Sequence, residues 1–420
     1  MQRPILLRTC VVLVGFLLIN AQQCWAAGFY IPEVGTPASL GTAGVANPTN
    51  RFGADSSYSN PAGMTGIEED QIFSGFQVAI PKIEFDSSIA TAGGDDGGNA
   101  GIIAPIPSFF YVKKLSDRSR FGFSVTAPLG GGVDYGSNFV GRYGTIRAEL
   151  AGVGLSPSFA YKVTDRFSVG AGVTIVYTRF EQDIAINQAA VAAPDGKLKL
   201  EDVDGFGYQP FFSMNLQLSD RLLLGIVYRA EADTDIDGNV KFENLVIIPT
   251  PSANKVNVQW DNPQWLEVGL SYKLTDIIKL YLNGGWQDWS IFSQNQLAFS
   301  GGAINATAKL DRNFKDTWHA GIAIIRLEPE KGGFSLGFSY DSSPVGDEDR
   351  TFDLPFDEIY RFSGSYFIKG SNKWDYAVGG TLYMIGDAAI DNTVQGVRAK
   401  GEFDTNLVLF LGATLRYKFQ

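Results

Sequence analysis

The stretch NLVLFLGATLRYKF, at residues 406–419, alternates between two kinds of side chain. One set is apolar and contains Leu407, Leu409, Leu411, Ala413, Leu415, Tyr417 and Phe419, and the other set is polar or small and contains Asn406, Gly412, Thr414, Arg416 and Lys418. Successive side chains of a β-strand point to opposite faces, so this pattern predicts a strand that is apolar on one face only. The same alternation recurs at 167–178 and 334–341.

Strands of this kind suit either a soluble sandwich or a membrane barrel, and the lengths of the connections decide between them. Six connections are short, and they lie at 115–118, 163–166, 218–221, 274–276, 328–332 and 369–373. The other seven are long and polar, glycine-rich or acidic, and they lie at 86–105, 128–145, 182–202, 235–258, 292–311, 342–356 and 387–405. Outer-membrane barrels have short periplasmic turns, longer extracellular loops and an even number of strands. The chain is therefore predicted to be an all-β protein, a 14-stranded antiparallel transmembrane β-barrel.

The first 26 residues carry the features of a cleaved signal peptide. Arg3 and Arg8 precede an apolar run at 11–19, and small residues follow at Ala26 and Ala27. The run is too short for a membrane-spanning helix, which needs about 20 apolar residues. We expect cleavage after Ala26 and no lipid on Cys24. Both cysteines lie in the removed segment, so no disulfide is expected, and the acidic net charge of −11 argues against a nucleic-acid partner.

Residues 27–69 do not alternate and form a separate predicted domain between the signal peptide (1–26) and the barrel (70–420). Proline and small polar residues at 37–41, 46–48 and 59–64 predict short helices separated by turns. A disordered tail is the alternative, but the scattered apolar residues and weak charge of the segment fit disorder poorly. We expect a compact, partly helical hatch that plugs the barrel lumen.

The hatch region resembles a known family. Ala27-Gly28-Phe29, the stretch LGTAGVA at 40–46, and Ala54-Asp55-Ser56-Ser57 leading to NPAGM at 60–64 look like the hatch of the FadL/TodX family of outer-membrane transporters for long-chain fatty acids and aromatic hydrocarbons. The tripeptide alone is a weak signal, and its place just before the first of 14 predicted strands gives it weight. The terminal stretch 412–419 also resembles the strand signal that the barrel-assembly machinery reads, with Gln420 one residue beyond it.

The resemblance implies passive uptake of a hydrophobic small molecule. The ligand would bind in a pocket between hatch and barrel wall, and it would leave sideways into the membrane through a kinked third strand. Phe29, Asn60, Pro61 and Ala62 match the family's hatch elements and are the predicted ligand-binding residues. Outer-membrane lipid, lipopolysaccharide and the assembly machinery would be the other partners, and no cofactor is implied.

The third strand and the basic residues add further candidates. Gly122 and Pro128 could weaken strand pairing at a lateral gate, because proline donates no ladder hydrogen bond and glycine packs nothing. An ordinary strand end is the alternative for Pro128. Arg142, Arg147 and Lys315 are candidate lumenal contacts for a ligand carboxylate.

Two other functions stay open on the sequence. A general water-filled porin would share the barrel, but it would have no need of a plug of roughly forty residues. A barrel hydrolase would need His319, whose neighbours Trp318 and Ala320 predict that it points to the lumen; a single polar lumenal side chain is the plainer interpretation. The run 233–240 matches half of an EF-hand loop, and a solvated acidic loop explains it without metal.

Overall fold

The chain forms a closed antiparallel barrel. The structure, a computed structural model, describes residues 31–232, 234–246, 254–301, 306–328, 330–371 and 373–419. The strand segments are β1 (Gln71–Ala90), β2 (Ala104–Lys114), β3 (Ser119–Asp134), β4 (Arg147–Lys162), β5 (Phe167–Ile186), β6 (Gly196–Ser219), β7 (Leu222–Arg229), β8 (Asp235–Glu243), β9 (Asn254–Gln259), β10 (Trp265–Lys273), β11 (Ile278–Gln287), β12 (Gln294–Ser300), β13 (Ala306–Asp311), β14 (Thr317–Glu328), β15 (Gly332–Asp341), β16 (Ile359–Lys369), β17 (Trp374–Ile385), β18 (Ile390–Val394) and β19 (Val397–Lys418).

These 19 segments make 14 barrel strands, as the sequence predicted. Five barrel strands are each built from two segments separated by a short break, namely β7 with β8, β9 with β10, β11 with β12, β13 with β14, and β17 with β18. The first and last strands close the sheet, with Gln71 opposite Lys418 and Ala90 opposite Ala399. Because the first and last strands pair with each other, neither is a free edge in lipid, where unpaired backbone groups are costly.

The alternation predicted from the sequence separates an outer apolar face from an inner one. Leu336 is 56% exposed, whereas its neighbour Ser335 is 1% exposed. In the last strand, Leu411 points outward while Phe410 and Thr414 are buried in the lumen. The outward side chains supply the apolar band that faces lipid.

The six predicted short turns are confirmed, but the long loops contain more strand than their composition predicted. β5 continues to Ile186 and β6 begins at Gly196, inside the predicted loop 182–202. β8, β9, β12 and β13 pair with one another or with β6 in the same way. β6 is 24 residues long, whereas a membrane crossing needs about 9–11 residues. Strand propensity depends on cross-strand neighbours, so these polar stretches pair above the membrane despite their composition.

The strand breaks and loops fill the extracellular half of the lumen with aromatic side chains. Trp260, Trp289, Phe292 and Phe314 lie at breaks and are all less than 5% exposed. Loop residues, among them Phe139, join them in one apolar cluster. The lumen is therefore apolar above the hatch.

The hatch lies inside the barrel. Its short helices are Pro37–Leu40, Asn47–Thr49, Ser56–Ser59 and Pro61–Gly66, and three of the four have proline in the first turn, where its missing N–H is not needed. Residues 31–67 are buried or half-buried throughout. No helix in the described ranges is long and apolar enough to cross a membrane.

Candidate functional site

Small polar side chains of the barrel wall hold the hatch by its backbone. The hydroxyls of Ser335, Thr381 and Thr414 donate to the carbonyl oxygens of Gly41, Leu40 and Gly35 over 2.8, 2.7 and 2.6 Å. Short helices leave most of their carbonyl groups without a partner inside the helix. The wall supplies those partners, which explains the polar residues on the inner face of otherwise apolar strands.

A buried arginine anchors the middle of the hatch. The Arg229 guanidinium lies 4.1 Å from the ring centres of both Tyr58 and Phe211. It donates to the Tyr58 carbonyl oxygen over 2.6 Å and to Thr174 Oγ1 over 2.9 Å. The planar group therefore pairs by stacking and by hydrogen bonds at once, which a lysine could not reproduce.

A second buried charge cluster anchors the start of the hatch. Tyr383 donates its hydroxyl proton to Glu33, and Arg361 lies 4.0 Å from the same carboxylate and pairs with Asp341. Burial raises the pKa of the Glu33 carboxyl, and the nearby Arg361 charge opposes that rise. The hatch thus carries a buried carboxyl that is costly to ionise.

The predicted Asn60-Pro61-Ala62 element lies where the hatch meets β5 and β6. The Asn60 side-chain nitrogen donates to the Pro48 carbonyl oxygen, and the Ala62 N–H donates to Ser213 Oγ over 2.9 Å. A Cβ at Gly170 of β5 would lie 2.4 Å from the Ala62 nitrogen. These contacts are with the chain itself, so the tripeptide fixes the position of the hatch.

The wall between β2 and β3 has a gap. Among residues 100–134, all of which are described, β2 pairs with β3 only from Phe109 opposite Val125 to Lys114 opposite Arg120. Above the gap the two chains meet again, where the Ile102 N–H donates to the Gly132 carbonyl oxygen over 3.2 Å. The open part of the wall therefore runs between 103–108 on one side and 126–131 on the other.

Prolines flank this gap. Pro128 lies in an irregularity of β3, where the register with β4 shifts between Thr126 and Leu129. Pro105 and Pro107 lie in β2, which is paired with β1 on its other side. Three prolines remove three backbone donors from the region of missing pairing. Pro105 and Pro107 were missed as site residues, although a proline such as Pro107 close to the start of a predicted strand signals weakened pairing.

The inner side of the gap faces the hatch and the apolar lumen. The Ile31 N–H donates to the Pro128 carbonyl oxygen over 3.2 Å. Ile31 belongs to an apolar cluster with Ile106 and Phe410, against which Ala127 also packs. A small cavity of about 20 Å³ lies directly behind the kink, lined by Tyr58, Pro128, Leu129, Val176, Gln209, Asn262, Pro263, Trp265 and Trp289.

The other predicted site residues lie away from the gap. Gly122 sits in the paired part of β3, where a Cβ would be 2.5 Å from Met64 Sδ, so its small size serves close packing of the hatch. Arg142 pairs with Asp195 over 2.9 Å, and Arg147 pairs with Glu149 at the start of β4. Lys315 is exposed in a strand break. Phe29 lies outside the described residues.

His319 and the acidic run hold ordinary structural positions. His319 faces the lumen, with Nε2 3.6 Å from Glu267 Oε1, while Trp318 is 63% exposed on the outer face. Asp233 lies outside the described residues, and the run that follows it becomes strand β8 from Asp235.

The chain resembles known proteins along nearly all of its length. Residues 17–419 match the family model described as outer membrane protein transport protein (OMPP1/FadL/TodX). A long-chain fatty acid transport protein of Salmonella typhi is 22% identical over 80% of this chain and 82% of its own, and a putative outer membrane protein of Neisseria meningitidis, NMB0088, is 25% identical over 99% and 100%.

Solved structures show the same fold. A Pseudomonas aeruginosa FadL homologue superposes with a TM-score of 0.84 at 20% identity, covering 94% of this chain and all of its own. The Ralstonia pickettii toluene transporter TbuX gives a TM-score of 0.70 at 20% identity, covering 93% and 100%. A closed barrel of 14 strands, a hatch seated in its lumen and a family match over residues 17–419 agree: the chain belongs to the FadL/TodX family of outer-membrane transport proteins.

Proposed function

We propose that this protein mediates passive uptake of hydrophobic small molecules, long-chain fatty acids or aromatic hydrocarbons, across the outer membrane. The ligand enters the apolar upper lumen, binds between hatch and wall, and leaves sideways through the gap between β2 and β3. Relatives with a matching sequence or fold are named for long-chain fatty acid transport and toluene transport. Surrounding lipid, lipopolysaccharide and the assembly machinery are its other partners in this proposal.

The gap in the wall carries the proposal. Backbone groups without partners are costly in lipid, so barrel strands normally pair along their whole membrane-crossing length. Here two strands stay apart over several residues, and three prolines lower the number of donors left without partners. A sheet that served only as a wall would gain nothing from this arrangement. An exit for an apolar molecule accounts for it.

The hatch residues take defined roles in the same proposal. The mature chain begins after Ala26, residues 27–69 form the hatch, and residues 70–420 form the barrel. Phe29 lines the ligand pocket, which is an expectation from the family resemblance alone. Asn60, Pro61 and Ala62 keep the hatch under the pocket. The cavity behind Pro128 is far smaller than the 300 Å³ or so that a small-molecule pocket needs, so side chains must move for a ligand to enter.

A reversible disulfide across the gap tests whether the ligand leaves there. The pairing of β2 with β3 ends at Phe109 opposite Val125. If it continued by one residue in the same register, Ser108 would lie opposite Thr126. In a Ser108→Cys/Thr126→Cys protein, oxidation should close the lower end of the gap and reduce uptake of radiolabelled oleate or toluene by cells several-fold. Reduction should restore uptake, because the pair is then open again.

A second disulfide, in the paired part of the same two strands, provides the control. Tyr111 and Phe123 lie opposite each other where β2 and β3 already pair. A Tyr111→Cys/Phe123→Cys protein should form a disulfide and take up ligand equally in both redox states. Mass spectrometry would show whether the disulfide between positions 108 and 126 is complete. If it is complete and uptake is unchanged, lateral exit is contradicted.

A further inference from the structure

A second cavity, separate from the gap, lies at the opposite, periplasmic end of the molecule. It has a volume of about 480 Å³ and lies between the underside of the hatch and the wall. Residues of the periplasmic turns, such as Ile277 and Glu330, form its rim. Its volume is within the range of about 300–1,000 Å³ that is usual for small-molecule sites. The proposed route through β2 and β3 does not use it.

The cavity has an apolar body. The apolar residues that line it include Phe52 of the hatch, Phe73 of β1, Tyr281 of β11, Ile325 of β14 and Phe367 of β16. Apolar surface that is open to the periplasm is costly to hydrate, so an apolar group that fills the space would be stabilised in proportion to the area it covers.

One cation in this cavity, Lys279, has no ion pair among the described residues. The Lys279 amine lies 4.4 Å from the ring centre of Phe52 and is half-buried in the cavity wall. Among the described residues, the charged groups that act on it are Arg51 and Lys273, and both are cations. An amine drawn out of water without a carboxylate partner is destabilising, and a bound anion would relieve that cost.

Another part of the cavity wall, on β16, β17 and β19, has three cations around one acidic side chain. A single carboxylate, that of Asp375, is shared by Arg416, by Lys369 at 3.3 Å and by Lys418 at 3.9 Å. At the rim, Asp276 pairs with Lys273 at 2.7 Å and Glu328 pairs with Arg326, whereas Glu330 has no ion pair among the described residues. The cavity therefore combines an apolar interior with Lys279, an amine that has no carboxylate partner among the described residues.

We propose that this periplasmic cavity is a second binding site, which takes a single-chain amphiphile with a carboxylate head, such as a long-chain fatty acid. The carboxylate pairs with Lys279, and the chain lies among Phe52, Phe73 and Phe367. A neutral hydrocarbon would fill the apolar part and leave the amine without a partner. This proposal does not depend on whether the ligand in the lumen leaves through the wall or through the hatch.

Photolabelling tests the site directly. The full chain in lipid nanodiscs would be irradiated with hexadecanoic acid that carries a diazirine at its far end, and the labelled residues would be located by mass spectrometry. We expect labels on residues around Phe52, Phe73 and Phe367, in addition to any in the upper lumen. Lys279→Met should raise the probe concentration that half-saturates labelling of the cavity about tenfold or more, because one charge-assisted hydrogen bond is lost. Labels in the upper lumen should not change.

Three comparisons separate a specific loss from a general one. Lys279→Arg should keep the labelling, since it keeps the charge, and correct folding of each variant would be checked by its heat-dependent mobility in gel electrophoresis. Lys331→Met changes a periplasmic lysine whose side chain is 81% exposed and should have no effect. The corresponding diazirine alcohol should label the cavity weakly. Equal labelling of the cavity in the wild type and in Lys279→Met, or labels confined to the upper lumen, would overturn the proposal.

Discussion

At the scale of single residues, several wall glycines mark the places where the hatch approaches the sheet most closely. A Cβ at Gly225 of β7 would lie 1.7 Å from the Pro48 carbonyl oxygen, and one at Gly337 of β15 would lie 2.4 Å from the Thr42 carbonyl carbon. No side chain fits at such distances. Glycines on the inner face therefore occur where the hatch backbone contacts the wall, whereas those on the outer face have no such role.

Replacing one inner glycine should loosen the hatch without harming the barrel. Gly225→Val forces the Pro48 backbone away from the wall, and overpacking of this kind costs about 1–3 kcal/mol. We expect a folded barrel with higher ion conductance in planar bilayers. Gly284→Val is the matched control, because the nearest heavy atom to its Cβ is 3.4 Å away. Equal conductance of the two variants would mean that the hatch does not depend on this contact.

The Glu33 cluster predicts that seating of the hatch depends on pH. Burial raises the pKa of Glu33 above its ordinary value of 4.5, so the seated hatch holds this proton more tightly than a released one. Seating is then most favourable below about pH 4.5 and weakens as the pH rises through the raised pKa. Conductance measured from pH 4 to pH 8 should increase, and Glu33→Gln should flatten that increase. A profile that is identical in both proteins would show that other groups control it.

At the scale of elements, the hatch and the barrel depend on each other unequally. Barrel strands pair with neighbouring strands around the whole circumference, with the break at β2 and β3 as the exception described above. The hatch helices have at most six residues each and draw their hydrogen bonds from the wall. Helices this short are not stable alone in water. The barrel is thus the scaffold and the hatch is its insert.

Deletion of residues 27–69 should accordingly leave a folded barrel that has lost its gate. We expect large, steady conductance steps from the truncated protein and few from the intact one, together with weaker binding of hydrophobic ligand. The heat-dependent gel mobility of the truncated protein would show whether the barrel still forms. Large steps from the intact protein would favour a general porin, and unchanged conductance and binding after truncation would contradict the role of the hatch.

At the scale of the whole molecule, the lumen is divided into three parts. Aromatic residues fill the extracellular end, the hatch fills the middle, and a largely apolar cavity that contains Lys279 opens at the periplasmic end. Most residues of the hatch and of the aromatic cluster are buried inside the barrel. In the function proposed above, the gap beside Pro128 connects the upper part of the lumen to the membrane.

The sequence by itself determined the barrel and the existence of the hatch. Alternation such as that of 406–419 is a local property, since each strand faces lipid on one side, and the contrast between short turns and long loops counts the strands. The position of Asn60-Pro61-Ala62 just before the first predicted strand was enough to locate the hatch in the chain. Pro128 was identifiable because proline removes a ladder donor wherever it stands.

Only the tertiary structure decided where the wall opens and which charges meet. The gap depends on the register of β2 against β3, and the position of Glu33 beside Arg361 and Tyr383 joins residues more than 300 positions apart in the chain. The same holds for Lys279, whose partner ring belongs to Phe52. Barrel closure and seating of the hatch bring such residues together, and period-two patterns carry no information about which inward-facing side chains will be neighbours across a lumen.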